Sequence, residues 1–123
     1  MPKHKILIVE DDPDTRRLFN VRLRASGYET AFAEDAYMAV SAALKEQPDL
    51  ILLDLGLPAG GGFIVLERLQ AQPSTATIPV IVASASERSS NELQARKAGA
   101  VTFLQKPVDA AELLAVIQQA LGE

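Results

Sequence analysis

Four strongly apolar short segments punctuate the chain: ILIV at 6–9, LILL at 50–53, VIVA at 80–83 and VTFL at 101–104, with a weaker one, ETAFA, at 29–33. Unbroken apolar runs of this length predict strands buried on both faces, as in a parallel sheet. Between them the apolar positions change period. Ala36, Ala39, Val40, Ala43 and Leu44 fall on one face of a helix, and Leu113, Val116, Ile117, Ala120 and Leu121 repeat the template near the end of the chain. A first helix is predicted from Pro13 to about Ser26, with Asp12 as its N-cap, Pro13 in the first turn and Gly27 beyond its end. The stretch after Ser84 is poor in large apolar residues; Leu93 is its expected anchor, so this helix should be weakly held.

Five strand-then-helix repeats imply right-handed crossovers and a five-stranded parallel sheet covered on both sides, a three-layer α/β sandwich. The stretches richest in turn residues, 59–62, 72–78 and 84–90, are too short to separate domains, and residues 1–123 are expected to form one domain. Three consecutive glycines, Gly60 to Gly62, predict backbone freedom after the third strand.

Composition adds exclusions. Apolar residues make up 48% of the chain and charged residues 23%, ordinary for a globular protein, and no run approaches a membrane span. The apolar run after the first basic residues is too short for a signal peptide and ends in acids, so a cytoplasmic location is expected. Without cysteine there is no disulfide or thiolate metal site. The formal net charge of −4 gives no reason to expect direct nucleic-acid binding. The initial methionine reads as a true N-terminus, of either a stand-alone protein or a piece of a longer one.

The chemistry gathers where the strands end. The first run ends in Glu10, Asp11 and Asp12, the third in Asp54, the fourth in Ser84 and the fifth in Lys106. In a parallel sheet these ends share one edge, where open α/β sheets place their ligands. At about 4 Å and an effective dielectric near 20, each carboxylate pair costs about 4 kcal/mol, so the cluster must protonate or hold a cation. Against Lys106, the carboxylates of Glu10, Asp11 and Asp54 leave two uncompensated negative charges, suiting a divalent ion such as Mg²⁺. Asp12 is explained by helix capping alone. His4 has no neighbouring ligand types in the sequence, and no role is assigned to it.

With these motifs in order, IVEDD (8–12), LLDLGLPAGGG (52–62), IPVIVASAS (78–86) and FLQKP (103–107), the chain resembles the receiver domain of two-component response regulators over essentially its whole length. The resemblance implies a flavodoxin-like sheet of order 2-1-3-4-5. It implies that Asp54 accepts a phosphoryl group from a histidine kinase or phosphotransfer protein. Asp11 and Asp54, the backbone carbonyl of Gly56, and Glu10 through water would hold Mg²⁺, with Mn²⁺ as a substitute. Ser84 and Lys106 would receive the phosphoryl oxygens, Phe103 would change rotamer on activation, and the Lys106–Pro107 peptide would be cis. The surface made by the helix after Ser84, the fifth strand and the last helix would meet a downstream protein or, on phosphorylation, a second copy.

Two departures stand out against that family. Where larger polar side chains are frequent, two residues past Asp54 and two past Ser84, this chain has Gly56 and Ser86, which predicts rapid loss of the phosphoryl group to water. Two other functions compete. An aspartyl phosphohydrolase would place a second acid at position 56. A flavin or nucleotide binder would need a phosphate-cradling loop after the first strand, where this chain is acidic.

Overall fold

The computed structural model describes residues 3–85 and 88–123. Its elements run β1 (Lys5–Val9), α1 (Pro13–Ala25), β2 (Glu29–Ala33), α2 (Ala36–Glu46), β3 (Leu50–Asp54), a 3-10 turn (Pro58–Gly60), α3 (Gly61–Gln70), α4 (Pro73–Ala76), β4 (Val80–Ser84), α5 (Arg88–Lys97), β5 (Thr102–Gln105) and α6 (Ala110–Leu121). All four strand pairings are parallel, and the sheet order is β2-β1-β3-β4-β5, as the resemblance implies.

The period of two sorts the apolar runs onto two cores. Leu7, Val9, Ile51, Leu53, Val80 and Val82 face a core shared with Val65, Leu66 and Leu69 of α3 and Ala39 and Ala43 of α2. Ile6, Ile8, Leu50, Leu52, Ile81 and Leu104 face the other, closed by Phe19 and Leu23 of α1 and by Leu113 and Ile117 of α6. Each fully buried aliphatic side chain contributes about 1.5–3 kcal/mol relative to exposure, which is why runs of four suffice to fix the sheet.

The first helix begins and ends where the sequence predicts. Asp12 accepts from the Thr15 N–H at 2.8 Å, Ser26 is the C-cap, and Gly27 takes the left-handed conformation at φ 92°. Three expectations need correction. Leu93 is not the anchor of α5: it is 59% exposed, and among the described side chains of the helix Ala95 is the buried one. Leu44 also lies at the surface, leaving Ala39 and Ala43 as the buried centre of α2. The stretch 72–78 is not all loop, because Pro73 starts one helical turn that Thr75 ties down by donating its hydroxyl to Leu69 O at 2.7 Å. The glycines after β3 have a packing role as well as a conformational one. A Cβ at Gly62 would lie 2.6 Å from Leu55 Cα, so only glycine lets α3 start this close to the end of β3.

Candidate functional site

β1 and β3 are neighbours, with Val9 opposite Leu53, so the residues that follow them emerge side by side. Glu10, Asp11 and Asp54 each offer a carboxylate oxygen to a group within 4.8 Å of one another. Glu10 and Asp54 are buried, while Asp11 is exposed. β5 brings in the cation: Lys106 Nζ lies 2.9 Å from Glu10 Oε1 and 3.3 Å from Asp54 Oδ1. The peptide that follows, Lys106–Pro107, is cis.

Backbone groups fix the acids. Gly56 N–H donates to Asp54 Oδ1 at 2.8 Å, and Asp12 N–H donates to Glu10 Oε2 at 3.3 Å. A Cβ at Gly56 would lie 3.2 Å from Asp54 Oδ1, so a side chain there would sit directly against the carboxylate. Ser84 closes β4 one residue past Ala83, the strand partner of Asp54, and is buried. Its carbonyl accepts from the Lys106 N–H at 2.8 Å and from Gln105 Nε2 at 3.2 Å, so strand pairing holds Ser84 and Lys106 together. Phe103 is buried within the core that also contains Ala95 of α5. Ser86 lies outside the described residues.

The electrostatics carry the mark of an unbalanced cluster. Burial drives the Glu10 carboxyl up to about 7, opposed by its hydrogen bond with Lys106 and reinforced by the charge of Asp54. For Lys106, burial acts to lower the value, but the hydrogen bond to Glu10 and the charges of Asp54 and Glu10 outweigh it and hold the ammonium above its ordinary range. Asp12 is set apart: the Thr15 hydroxyl and N–H keep its carboxyl below the usual value, consistent with capping alone.

An all-oxygen donor set suits a hard divalent cation. Oxygens bound at about 2.1 Å to one octahedral ion lie about 3.0–4.2 Å apart, and carboxylate oxygens within 4.8 Å of one another are near enough for one ion to be held among them, directly or through water. The cluster fits a metal on geometry, charge and donor type.

The sequence did not single out Arg16 and Gln105. Arg16 Nη1 donates to Glu10 O at 2.9 Å and steadies the backbone beneath the cluster. Gln105 sits within the FLQKP motif but was assigned no role there, and the only available signal for Arg16 was its place in the first turn of the helix that follows the acids. His4 proves to have a partner, with Nδ1 3.4 Å from Glu123 Oε2, while Tyr28 Oη donates to Glu123 Oε1 at 2.5 Å. Burial and the Glu123 carboxylate together raise the Tyr28 hydroxyl to about 12. This contact ties the region before β1 to the residues after α6.

Comparison with known proteins gives the same picture. The sequence profile of the response regulator receiver domain matches residues 6–118. The polar-differentiation response regulator DivK of Brucella anthropi is 33% identical over 123 residues, covering 100% of this chain and 99% of its own. The DNA-binding dual master transcriptional regulator RpaA of Synechocystis is 38% identical over 117 residues, 95% of this chain but 48% of its own length. The chain therefore spans about half of that regulator, and it spans 25% of the response regulator PleD. Among solved structures, the receiver domain of the sensor histidine kinase PA1611 of Pseudomonas aeruginosa, with magnesium in its active-site cleft, superposes with a TM-score of 0.90 at 30% identity, covering 99% of this chain and 100% of that one.

Proposed function

The chain belongs to the response regulator receiver domain family, and from that premise we propose that residues 1–123 act as one phosphoacceptor domain with Asp54 as the acceptor. The observation that carries this reading is the position of Asp54: a buried carboxylate within 4.8 Å of Glu10 and Asp11 oxygens and 3.3 Å from the Lys106 ammonium. An ionised carboxylate needs no general base. Its oxygen attacks phosphorus and forms a P–O bond, while the P–N bond of a phosphohistidine donor breaks and the imidazole nitrogen keeps the electron pair.

Asp11, Asp54 and the Gly56 carbonyl would hold Mg²⁺ or Mn²⁺, with Glu10 assisting through water. When bound, the ion neutralises phosphoryl charge. The remaining work falls to the chain. Gly56 N–H orients the Asp54 carboxylate. Lys106, shared between Glu10 and Asp54, turns to the incoming phosphoryl oxygens, and the Ser84 hydroxyl donates to another. Esterification replaces one carboxylate charge with a dianion, so these donors bind the phosphorylated form more tightly than the free one. Moving a population from about 1:99 to 99:1 takes about 5.5 kcal/mol, within reach of a few charge-assisted bonds. Phe103 then repacks, carrying the change to the face formed by α5, β5 and α6, where a downstream protein or a second phosphorylated copy binds. Among the described residues no helix is long and apolar enough to cross a membrane, and we place the domain in the cytoplasm, alongside ATP-dependent kinases.

This is a switch rather than a turnover enzyme, because the position an aspartyl hydrolase would fill with a second acid is Gly56. Incubation with acetyl phosphate and Mg²⁺, followed by intact mass, should show a gain of one phosphate that Asp54→Asn abolishes. Steady hydrolysis of many phosphate esters with no trapped adduct would favour the hydrolase.

A further inference from the structure

β2 forms one outer edge of the sheet. Its inward groups are those of alternate residues: Glu29 N–H donates to His4 O at 3.0 Å, and Ala33 O accepts from Glu10 N–H at 3.1 Å. Bonding alternates along a parallel ladder, so the N–H and C=O groups of Thr30 and Phe32 point away from the sheet. Exposed edges are usually guarded by charge, proline or a bulge. ETAFA has none of these at its centre, and its five pairs with β1 run without a break.

The flanks of this edge differ in chemistry. On the α1 side Thr30 and Phe32 share a face with Ile6 and Ile8, and a groove of about 270 Å³ is lined by Pro13, Arg16, Arg17, Asn20 and Phe32, with no acid. On the α2 side a groove of about 460 Å³ runs along the strand past Tyr37 and Met38, which are 83% and 45% exposed. Arg16 is committed to Glu10 O, and the Glu46 carboxylate on the second flank is taken by Lys5 at 3.1 Å. Arg17 is exposed and has no acidic partner among the described residues.

Charge selects the occupant. A two-fold pairing of β2 with β2 would lay α1 against α1. Arg24, which donates to Thr30 Oγ1 at 3.2 Å, also lies beside this edge, so such a pairing would set arginine against arginine. We propose that the open edge of β2 takes an extended acidic segment of a partner protein by strand addition, with carboxylates on the α1 face at Arg17 and apolar side chains on the α2 face over Tyr37 and Met38. This goes beyond the phosphoacceptor reading and is independent of Asp54.

The test uses an N-acetylated, fluorescein-labelled heptapeptide of alternating glutamate and valine, beside a lysine and valine counterpart. The acidic peptide should bind saturably in fluorescence polarisation and shift the backbone amides of Thr30 and Phe32 in nitrogen-15 NMR spectra. Arg17→Glu, on an exposed helix face, should weaken binding at least tenfold. Phe32→Pro removes an outward N–H that the fold does not use and should abolish binding. Both variants should still gain one phosphate from acetyl phosphate, which separates this proposal from the acceptor reading. Equal binding of the basic peptide, undiminished binding by Arg17→Glu, or shifts that avoid residues 30 and 32 would overturn it. So would concentration-dependent shifts at those two amides in the protein alone, because a second copy would then be the occupant.

Discussion

Every residue of β3, from Leu50 to Asp54, is buried, whereas among the described side chains of α5 only Ala95 is. β3 is clamped between β1 and β4 and carries Asp54, the proposed acceptor, at its tip. The polar contacts of Arg96 are local: Nε pairs with Glu92 Oε2 one turn back in α5 at 3.1 Å, and Nη1 donates to Val101 O just before β5 at 3.0 Å. Under the proposed function, the difference suits two jobs to two stiffnesses. A nucleophile needs a fixed position relative to the incoming group. A responding element needs alternative packings separated by little energy, which suits a helix with one buried residue among its described side chains.

The comparison breaks most directly at β3. Leu53 is fully buried, and Leu53→Ala should cost about 2–5 kcal/mol in urea denaturation, through lost transfer energy and the cavity left behind. A cost below about 1 kcal/mol would mean that the strand is no stiffer than its surroundings.

A second test concerns charge at the rigid end. Glu10 titrates near 7 in the folded protein, against an ordinary value of 4.5. An acid raised in this way binds more protons folded than unfolded between those values, so stability falls as pH climbs through the window, by up to about 3 kcal/mol for this residue. Lys106 is also raised, but from 10.5, so its contribution stays constant across the same range. In EDTA the wild type should therefore lose about 2–3 kcal/mol relative to Glu10→Gln between pH 5 and pH 8, with Mg²⁺ at pH 8 removing most of the difference. Parallel pH profiles for the two proteins would show that the buried carboxylate carries no such cost.

At the soft end, Ala95→Gly removes the buried methyl of Ala95 and weakens the helix, and should cost about 1–2 kcal/mol. Backbone amides of α5 should then exchange with solvent faster while those of β3 are unchanged. Equal acceleration in both elements would mean that they unfold as one unit.

This same contrast decided what the sequence could reveal. The strands were legible because burial on both faces demands unbroken runs such as LILL, and the cluster was legible because Glu10, Asp11, Asp54, Ser84 and Lys106 follow such runs within two residues. α5 was not, because its contact with the sheet is made by an alanine, which hydrophobic periodicity weighs lightly beside a leucine two positions earlier. The turn of α4, four residues long, is barely more than one helical repeat and leaves no periodic trace. The role of Gly62 depends on how closely Leu55 approaches, a distance that no sequence pattern encodes.

Leu93 gives the smallest effect and the finest discrimination. As the largest apolar residue of α5 it is the side chain that sequence reasoning would bury, yet it is 59% exposed. Leu93→Ala should therefore shift stability by no more than about 0.5 kcal/mol, in contrast to Leu53→Ala. The two substitutions remove the same atoms, so their difference isolates burial from chemistry. If Leu93→Ala instead cost more than about 1.5 kcal/mol, the leucine would be packed in solution, α5 would be anchored by two side chains, and the division between a fixed acceptor strand and a loosely held responding helix would fail.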